Sequence, residues 1–147
     1  MSLFEFGKIP PTNIKELSIY YIMQYTGKWY KWGGDDSSGF DCSGLAIEYL
    51  KCAGLVERKF DATAAMLKKL FIPVTSPYRG CLVFWKNSND KIIHVEIMIN
   101  ETHSLGASGG GSKTLTIEDA IRDNAFVKIR PINTRQGIAG FVDPFLG

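Results

Sequence analysis

Two residues of this chain have side chains that can do covalent chemistry together. Cys42 lies in Tyr30-Lys-Trp-Gly-Gly-Asp-Asp-Ser-Ser-Gly-Phe-Asp-Cys-Ser-Gly-Leu45, where a glycine-rich loop runs into the first turn of an expected helix. A thiol has an intrinsic pKa near ~8.5, and the partial positive charge and free N–H groups of a helix N-terminus favour thiolate over thiol. Cys42 is therefore a candidate nucleophile; the plainer alternative is a small buried apolar residue. Asp41 acts in two directions, because as an acceptor cap it favours the helix while its charge opposes thiolate formation. A base is also required, and the chain has two histidines, His94 and His103. His103 follows Asn100-Glu-Thr in what reads as a turn. His94 is the stronger candidate, since it lies inside a strand on its more polar face, where a rigid scaffold can hold an imidazole against a helix N-terminus. Alone it would read as a half-buried strand histidine bonded to a neighbour; its pairing with Cys42 is what points to catalysis.

The elements that must position these two residues follow from periodicity. After Pro10-Pro11, Thr12 or Asn13 can cap a helix whose apolar positions Ile14, Leu17, Tyr21 and Tyr25 have helical spacing, with Ile22 beside them and small Ser18 the one polar interruption, ended by Gly27. Asp41 is the expected N-cap of the helix that carries Cys42, with Leu45, Ala46, Tyr49 and Leu50 on its apolar face and Gly54 at its C-terminus. Asp61 to Leu70 reads as a third helix, stopped before Pro73. The period then changes to two. Cys81 to Trp85 and Ile92 to Asn100 read as an antiparallel hairpin, with Ile93, Val95, Ile97 and Ile99 on one face and His94, Glu96, Met98 and Asn100 on the other. Short strands are expected near Ser104 to Ser108, Phe126 to Ile132 and Ile138 to Val142, with a helix capped by Thr116 among them. Helices first and strands afterwards give an α+β fold, N-terminal helices packed on a central antiparallel sheet.

Composition narrows the function. The chain has 147 residues, 45% hydrophobic and 22% charged, which fits one domain over residues 1–147 with a core large enough to need no metal or disulfide framework. Seventeen basic and fifteen acidic residues give a net charge of +2, so no nucleic-acid partner is expected. The three cysteines, Cys42, Cys52 and Cys81, form no C-x-x-C pair, so no zinc site and no cofactor are expected. Gly106 to Thr114 resembles a phosphate loop only superficially, since Ser112 precedes Lys113 where that loop needs glycine. Asp35 to Asp41 has calcium-loop composition without the spacing and reads as a substrate loop. Met1 to Pro11 carries no export signal, and no window approaches the ~18 apolar residues of a membrane span. Action on an extracellular substrate would then require lysis, a virion or secretion apparatus, or a fusion partner.

Several blocks resemble the NlpC-type cysteine peptidases of bacterial cell walls, papain-like domains related to the CHAP amidases. Tyr30-Lys-Trp-Gly-Gly and Phe40-Asp-Cys-Ser-Gly-Leu45 look like the family's nucleophile block, Thr63-Ala-Ala65 like its following helix, Gly80-Cys-Leu-Val-Phe84 like the strand before the histidine, and His94-Val-Glu-Ile-Met-Ile99 like the histidine strand. The similarity covers about residues 14 to 108. It implies a papain-like fold with Cys42 as nucleophile and His94 as general base and then acid. It also implies that Tyr30, Asp41 and Ser43 line the subsite for the N-terminal side of a peptidoglycan stem peptide. A carboxylate and a hydroxyl suit an ammonium, and a phenol or the Cys42 backbone N–H suits an oxyanion. The local alternatives are Asp41 as a cap, Ser43 as a first-turn residue and Tyr30 as a core aromatic. The implied activity is hydrolysis between D-glutamate and the diamino acid; with no export signal visible, a phage lysis enzyme or virion-associated wall peptidase is expected rather than a conventionally secreted one. An N-acetylmuramoyl-L-alanine amidase, an acyltransferase or a non-catalytic wall-binding module on the same fold are the alternatives.

The chain departs from that pattern where catalysis is most sensitive. The family's third polar residue, which orients the histidine, matches Gly106, which has no side chain. A backbone carbonyl, a water, Ser104, Ser108 or His103 would have to substitute, or the pair would work alone. Loss of an orienting residue costs roughly 10⁴ in rate where it fixes the tautomer. Glu96 stands where the family commonly has glycine. Its charge would raise the histidine's pKa, although the plainer expectation is a solvated strand residue. Cys81 replaces a family aspartate and reads as packing.

Overall fold

The computed structural model describes residues 13–36 and 39–147. Thr12, the N-terminal stretch and Ser37-Ser38 of the glycine-rich loop lie outside the described residues.

Helix α1 (Ile14–Met23) is capped by Asn13, whose side chain accepts the Glu16 N–H at 3.2 Å. The buried face is the expected one only in part: Ser18 and Ile22 face the core together with Ile19, while Ile14 is exposed and Leu17 and Tyr21 are half-buried. Serine is admitted there because its hydroxyl donates to the Ile14 carbonyl at 2.8 Å. Tyr25 lies beyond the helix end and packs against Phe40, ring centroids 4.8 Å apart.

The glycine-rich stretch forms a small hairpin, β1 (Asp35–Asp36) with β2 (Gly39–Phe40), and leads into α2 (Cys42–Cys52). Leu45, Ala46, Tyr49 and Leu50 are fully buried, as their spacing predicts, and the Tyr49 phenol donates to the Gly80 carbonyl at 2.8 Å. Gly54 follows α2 in the left-handed region, its N–H bonded to the Lys51 carbonyl. Helix α3 (Ala64–Leu70) begins later than expected because the Thr63 side chain accepts the Met66 N–H and so sets the first turn.

The remaining strands are β3 (Ile72–Val74), β4 (Leu82–Lys86), β5 (Ile92–Met98), β6 (His103–Ser108), β7 (Phe126–Pro131) and β8 (Ile138–Asp143), with α4 (Ile117–Asp123) between β6 and β7. They form an antiparallel sheet in the order β3-β8-β4-β5-β6-β7. The expected hairpin is the β4–β5 pair. Sequence reading passed over β3, whose Pro73 argues against a strand; β3 lies at the sheet edge, where a missing N–H is tolerated.

Leu82, Phe84, Val95, Ile97, Leu105, Ala107 and Val127 join the helices in the main core. Cys81, Val83, Trp85 and Met98 form a second cluster, so Cys81 is a packing residue, as expected. Both kinds of strand position are therefore covered, which explains why Cys81 to Trp85 is a continuous apolar run and why every residue from His94 to Met98 is buried.

Candidate active site

Cys42 is the first residue of α2, and the polar atoms around it are tied to one another. The Asp41 carboxylate accepts the Gly44 N–H at 2.7 Å, the Ser43 hydroxyl at 3.3 Å and the Gly33 N–H at 3.0 Å. It thus caps the helix and pins the turn before it. The Gly34 carbonyl accepts the Asp41 N–H at 3.0 Å and presses on the helix so closely that a Cβ on Gly44 would lie 2.1 Å from it. Gly44 is therefore a packing requirement of this turn.

Burial pushes the Cys42 thiol up to about 11; backbone hydrogen bonds to Val95 and Ser43 oppose this, while the charges of Asp41 and Glu96 add to it. Desolvation thus outweighs the helix terminus, which by itself does not make a thiolate, and a base is required as the sequence suggests.

His94 is 5% exposed on β5, and its Nε2 lies 2.6 Å from Oε2 of Glu96, itself 3% exposed. The other carboxylate oxygen, Oε1, accepts the Ser104 hydroxyl at 2.6 Å. The expectation of a solvated Glu96 is corrected, since that strand face is covered. Burial tends to raise the Glu96 carboxyl, but the hydrogen bond and charge of His94, the Ser104 hydroxyl and Arg130 together hold it below the usual carboxylate range. Burial holds His94 below its ordinary value against the pull of Glu96, with Arg135 and Arg130 acting in the same direction as burial. The resting pair is an ionised carboxylate beside a neutral imidazole.

Gly106 lies on β6 beside this pair. The β5–β6 register, Ile97 opposite Leu105 and Met98 opposite Ser104, continues to bring Glu96 opposite Gly106. A Cβ on Gly106 would lie 2.3 Å from Cγ of Glu96, so that side chain fills the space. Of the other substitutes considered, Ser104 bonds Glu96, Ser108 accepts from Arg130 at 2.8 Å, and His103 is bonded to Thr102 at 2.8 Å.

Tyr30, Asp41, Cys42, Ser43 and His94 line one cleft of about 790 Å³, and Gly106 lies outside its lining, behind Glu96. Tyr30 is also a core residue, 4% exposed, and burial holds its phenol well above the ordinary tyrosine range. Sequence reasoning missed Arg135, which lines the cleft from the loop before β8. It also missed Trp85, whose ring centroid is 5.4 Å from that of His94 and whose indole N–H donates to the Arg135 carbonyl at 3.1 Å. Among the described residues no group of three or more His, Cys, Asp or Glu side chains is arranged to hold a metal, and no helix is long and apolar enough to cross a membrane.

The NlpC/P60 family model matches residues 27–131. A NlpC/P60 family protein from Bacillus cereus is 21% identical, with a TM-score of 0.75 over 92% of this chain and 42% of its own length. The NlpC/p60 domain of the peptidoglycan hydrolase SagA is 23% identical, with a TM-score of 0.65 over 88% of this chain and 97% of that domain. The peptidoglycan hydrolase RipB from Mycobacterium tuberculosis is 22% identical, with a TM-score of 0.56 over 93% of this chain and 68% of that one. This chain thus spans less than half of the Bacillus cereus protein and nearly all of the SagA domain. No curated protein matches by sequence. At these identities the likeness is one of fold, and that fold is the α+β papain-like one.

Proposed function

The chain belongs to the NlpC/P60 family, and from that premise we propose that it is a cysteine hydrolase cutting peptide bonds of peptidoglycan stem peptides, between D-glutamate and the diamino acid. The observation that carries this reading is the meeting of Cys42 and His94 in the lining of one cleft. Residues 1–147 act as one such domain in this reading, and phage or virion delivery is one route to the wall.

His94 takes the thiol proton as Cys42 Sγ attacks the scissile carbonyl carbon, whose oxygen becomes the oxyanion. Free N–H groups at the start of α2 and the Tyr30 phenol are the donors available to that oxygen. The C–N bond then breaks, the imidazolium gives its proton to the departing amine, and an acyl thioester remains on Cys42. Water, deprotonated by His94, attacks the thioester; the C–S bond breaks, releasing the new carboxylate and the thiol. A neutral thiol beside a neutral imidazole suits this sequence, because proton transfer accompanies attack. Asp41 and Ser43 line the subsite for the N-terminal side of the stem peptide, where they would hold its ammonium, with Asp41 also serving as the cap.

The test is release of free amines from purified peptidoglycan by the wild type, Cys42→Ala and His94→Ala at equal concentration. The expected result is release by the wild type alone, with the diamino acid as the new N-terminus. Equal release by Cys42→Ala would overturn the assignment, and a product opened at the muramoyl-alanine bond would make the protein an amidase.

A further inference from the structure

We infer that Glu96 is the positioning residue for His94, supplied from the histidine's own strand in place of a side chain at position 106; this rests on the reading above that His94 serves Cys42. The geometry is that of a buried orienting carboxylate. Oε2 is 2.6 Å from Nε2 of His94, and Oε1 is held at 2.6 Å by the Ser104 hydroxyl, so the carboxylate is itself fixed from the neighbouring strand. Both side chains are almost wholly buried, at 6% and 4% exposure. Gly106 is part of the device, since any side chain there would meet Cγ, Cδ and Oε2 of Glu96 at 2.3, 2.5 and 2.8 Å.

The chemical consequence follows from what an ionised carboxylate can do. It accepts hydrogen bonds and donates none, so Nε2 carries the ring proton and Nδ1 keeps the lone pair. Nδ1 is then the nitrogen that takes the thiol proton. When it does, the imidazolium has a carboxylate in direct contact, while the new thiolate is a more distant neighbour of that charge. Because Coulomb interaction falls with distance, Glu96 favours the proton transfer even though it disfavours the thiolate taken alone. The other charges bearing on the pair are Arg130 and Lys128 on β7, Arg135 on the cleft loop, and Asp41 and Cys42 at the start of α2. Arg130 and Arg135 oppose protonation of His94, so Glu96 is the contact that makes the imidazolium accessible.

The experiment compares the wild type, Glu96→Gln and Glu96→Ala, each checked for native melting, by three readouts. The first is kcat and KM for amine release across pH. The expected result is a fall in kcat of roughly a hundredfold or more with little change in KM, and a lower acid-limb pKa, in Glu96→Gln. The second is the ring-nitrogen NMR spectrum of His94, expected to show the Nε2–H tautomer in the wild type and a mixture in Glu96→Ala. The third is the alkylation rate of Cys42, expected to fall in both variants at a given pH. If Glu96→Gln keeps wild-type kcat and pH profile, the inference is overturned while the hydrolase assignment stands. If the wild type releases no amine, the hydrolase assignment fails and the other two readouts decide: a mixed tautomer in the wild type, or alkylation unaffected by Glu96→Ala, overturns the positioning role.

Discussion

Glu96 and Gly106 lie opposite each other on adjacent strands, and the carboxylate side chain of one fills the volume that any side chain of the other would need. The position that looks vacant in the sequence is the reason the glutamate can turn toward His94.

The first expectation is a coupling between these two positions. Gly106→Ala puts a Cβ 2.3 Å from Cγ of Glu96, and overpacking of this kind costs about 1–3 kcal/mol. It is expected to lower both stability and kcat by displacing the carboxylate from His94. In a Glu96→Ala background the same substitution has room, so its added destabilisation is expected to fall by more than half. A double-mutant cycle by urea unfolding measures this; additive effects would contradict the packing account.

Stability should weaken on acidification, in two stages. His94 and Glu96 both titrate below their ordinary values of 6.5 and 4.5 in the folded protein. A depressed pKa means that the unfolded chain binds the proton more readily, so the contribution is present above the unfolded value and is lost as pH falls through the folded one. Urea unfolding from pH 8 to pH 3 is expected to show a decline beginning near 6.5, absent in His94→Gln, and a second below 4.5, reduced in Glu96→Gln. Stability that rises as pH falls from 7 to 5 would contradict the histidine shift, and an unchanged second decline in Glu96→Gln would contradict that of the glutamate.

Cys42, half-buried in the cleft lining, should react as a thiol of high pKa. With the group pushed up to about 11, its alkylation by iodoacetamide, followed by peptide mass spectrometry, is expected to climb with pH without a plateau below pH 9. Cys81, fully buried, is expected to stay unmodified in the folded protein. A plateau for Cys42 near neutrality would show a preformed thiolate–imidazolium pair instead.

Asp41 serves as a cap by geometry and as a subsite residue by proposal, and one substitution separates these roles. Asn caps helices as well as Asp, so Asp41→Asn is expected to change stability by no more than about 0.5 kcal/mol while raising KM for substrates with a free amine. Asp41→Ala is expected to lose about 1 kcal/mol of stability or more, because both the Gly44 and the Gly33 N–H groups lose their acceptor. Unchanged KM in Asp41→Asn would leave only the cap.

Much of this was legible in the chain. Side-chain caps at Asp41 and Thr116 and the change of period after Pro73 were local signals, and local signals located the helices and strands. The burial of Glu96 was not local. Alternation along β5 separates two faces but says nothing about what covers each; that depends on Trp85, Met98 and the strands beyond. The signal that could have revealed it was a glycine inside a strand at the register position opposite a glutamate, since such a glycine often marks close approach by another group. Similarly, helix periodicity located α1 but carried it past its end at Met23 and put only part of its buried face in place, since Ser18, bonded to its own backbone, packs into the core together with Ile19 and Ile22. Arg135 reached the cleft only through the loop before β8, which no periodicity describes.

The central claim is that the sulfur of Cys42, served by His94, forms the covalent intermediate. A synthetic stem peptide with a D-glutamyl–diamino acid bond, mixed with the protein and quenched in acid within a turnover, tests it by peptide mass mapping. The account predicts the mass of the peptide's N-terminal portion on the fragment containing Cys42, and no such adduct with His94→Ala. Cleavage of the peptide with no adduct at Cys42, at full rate in Cys42→Ala, would contradict it.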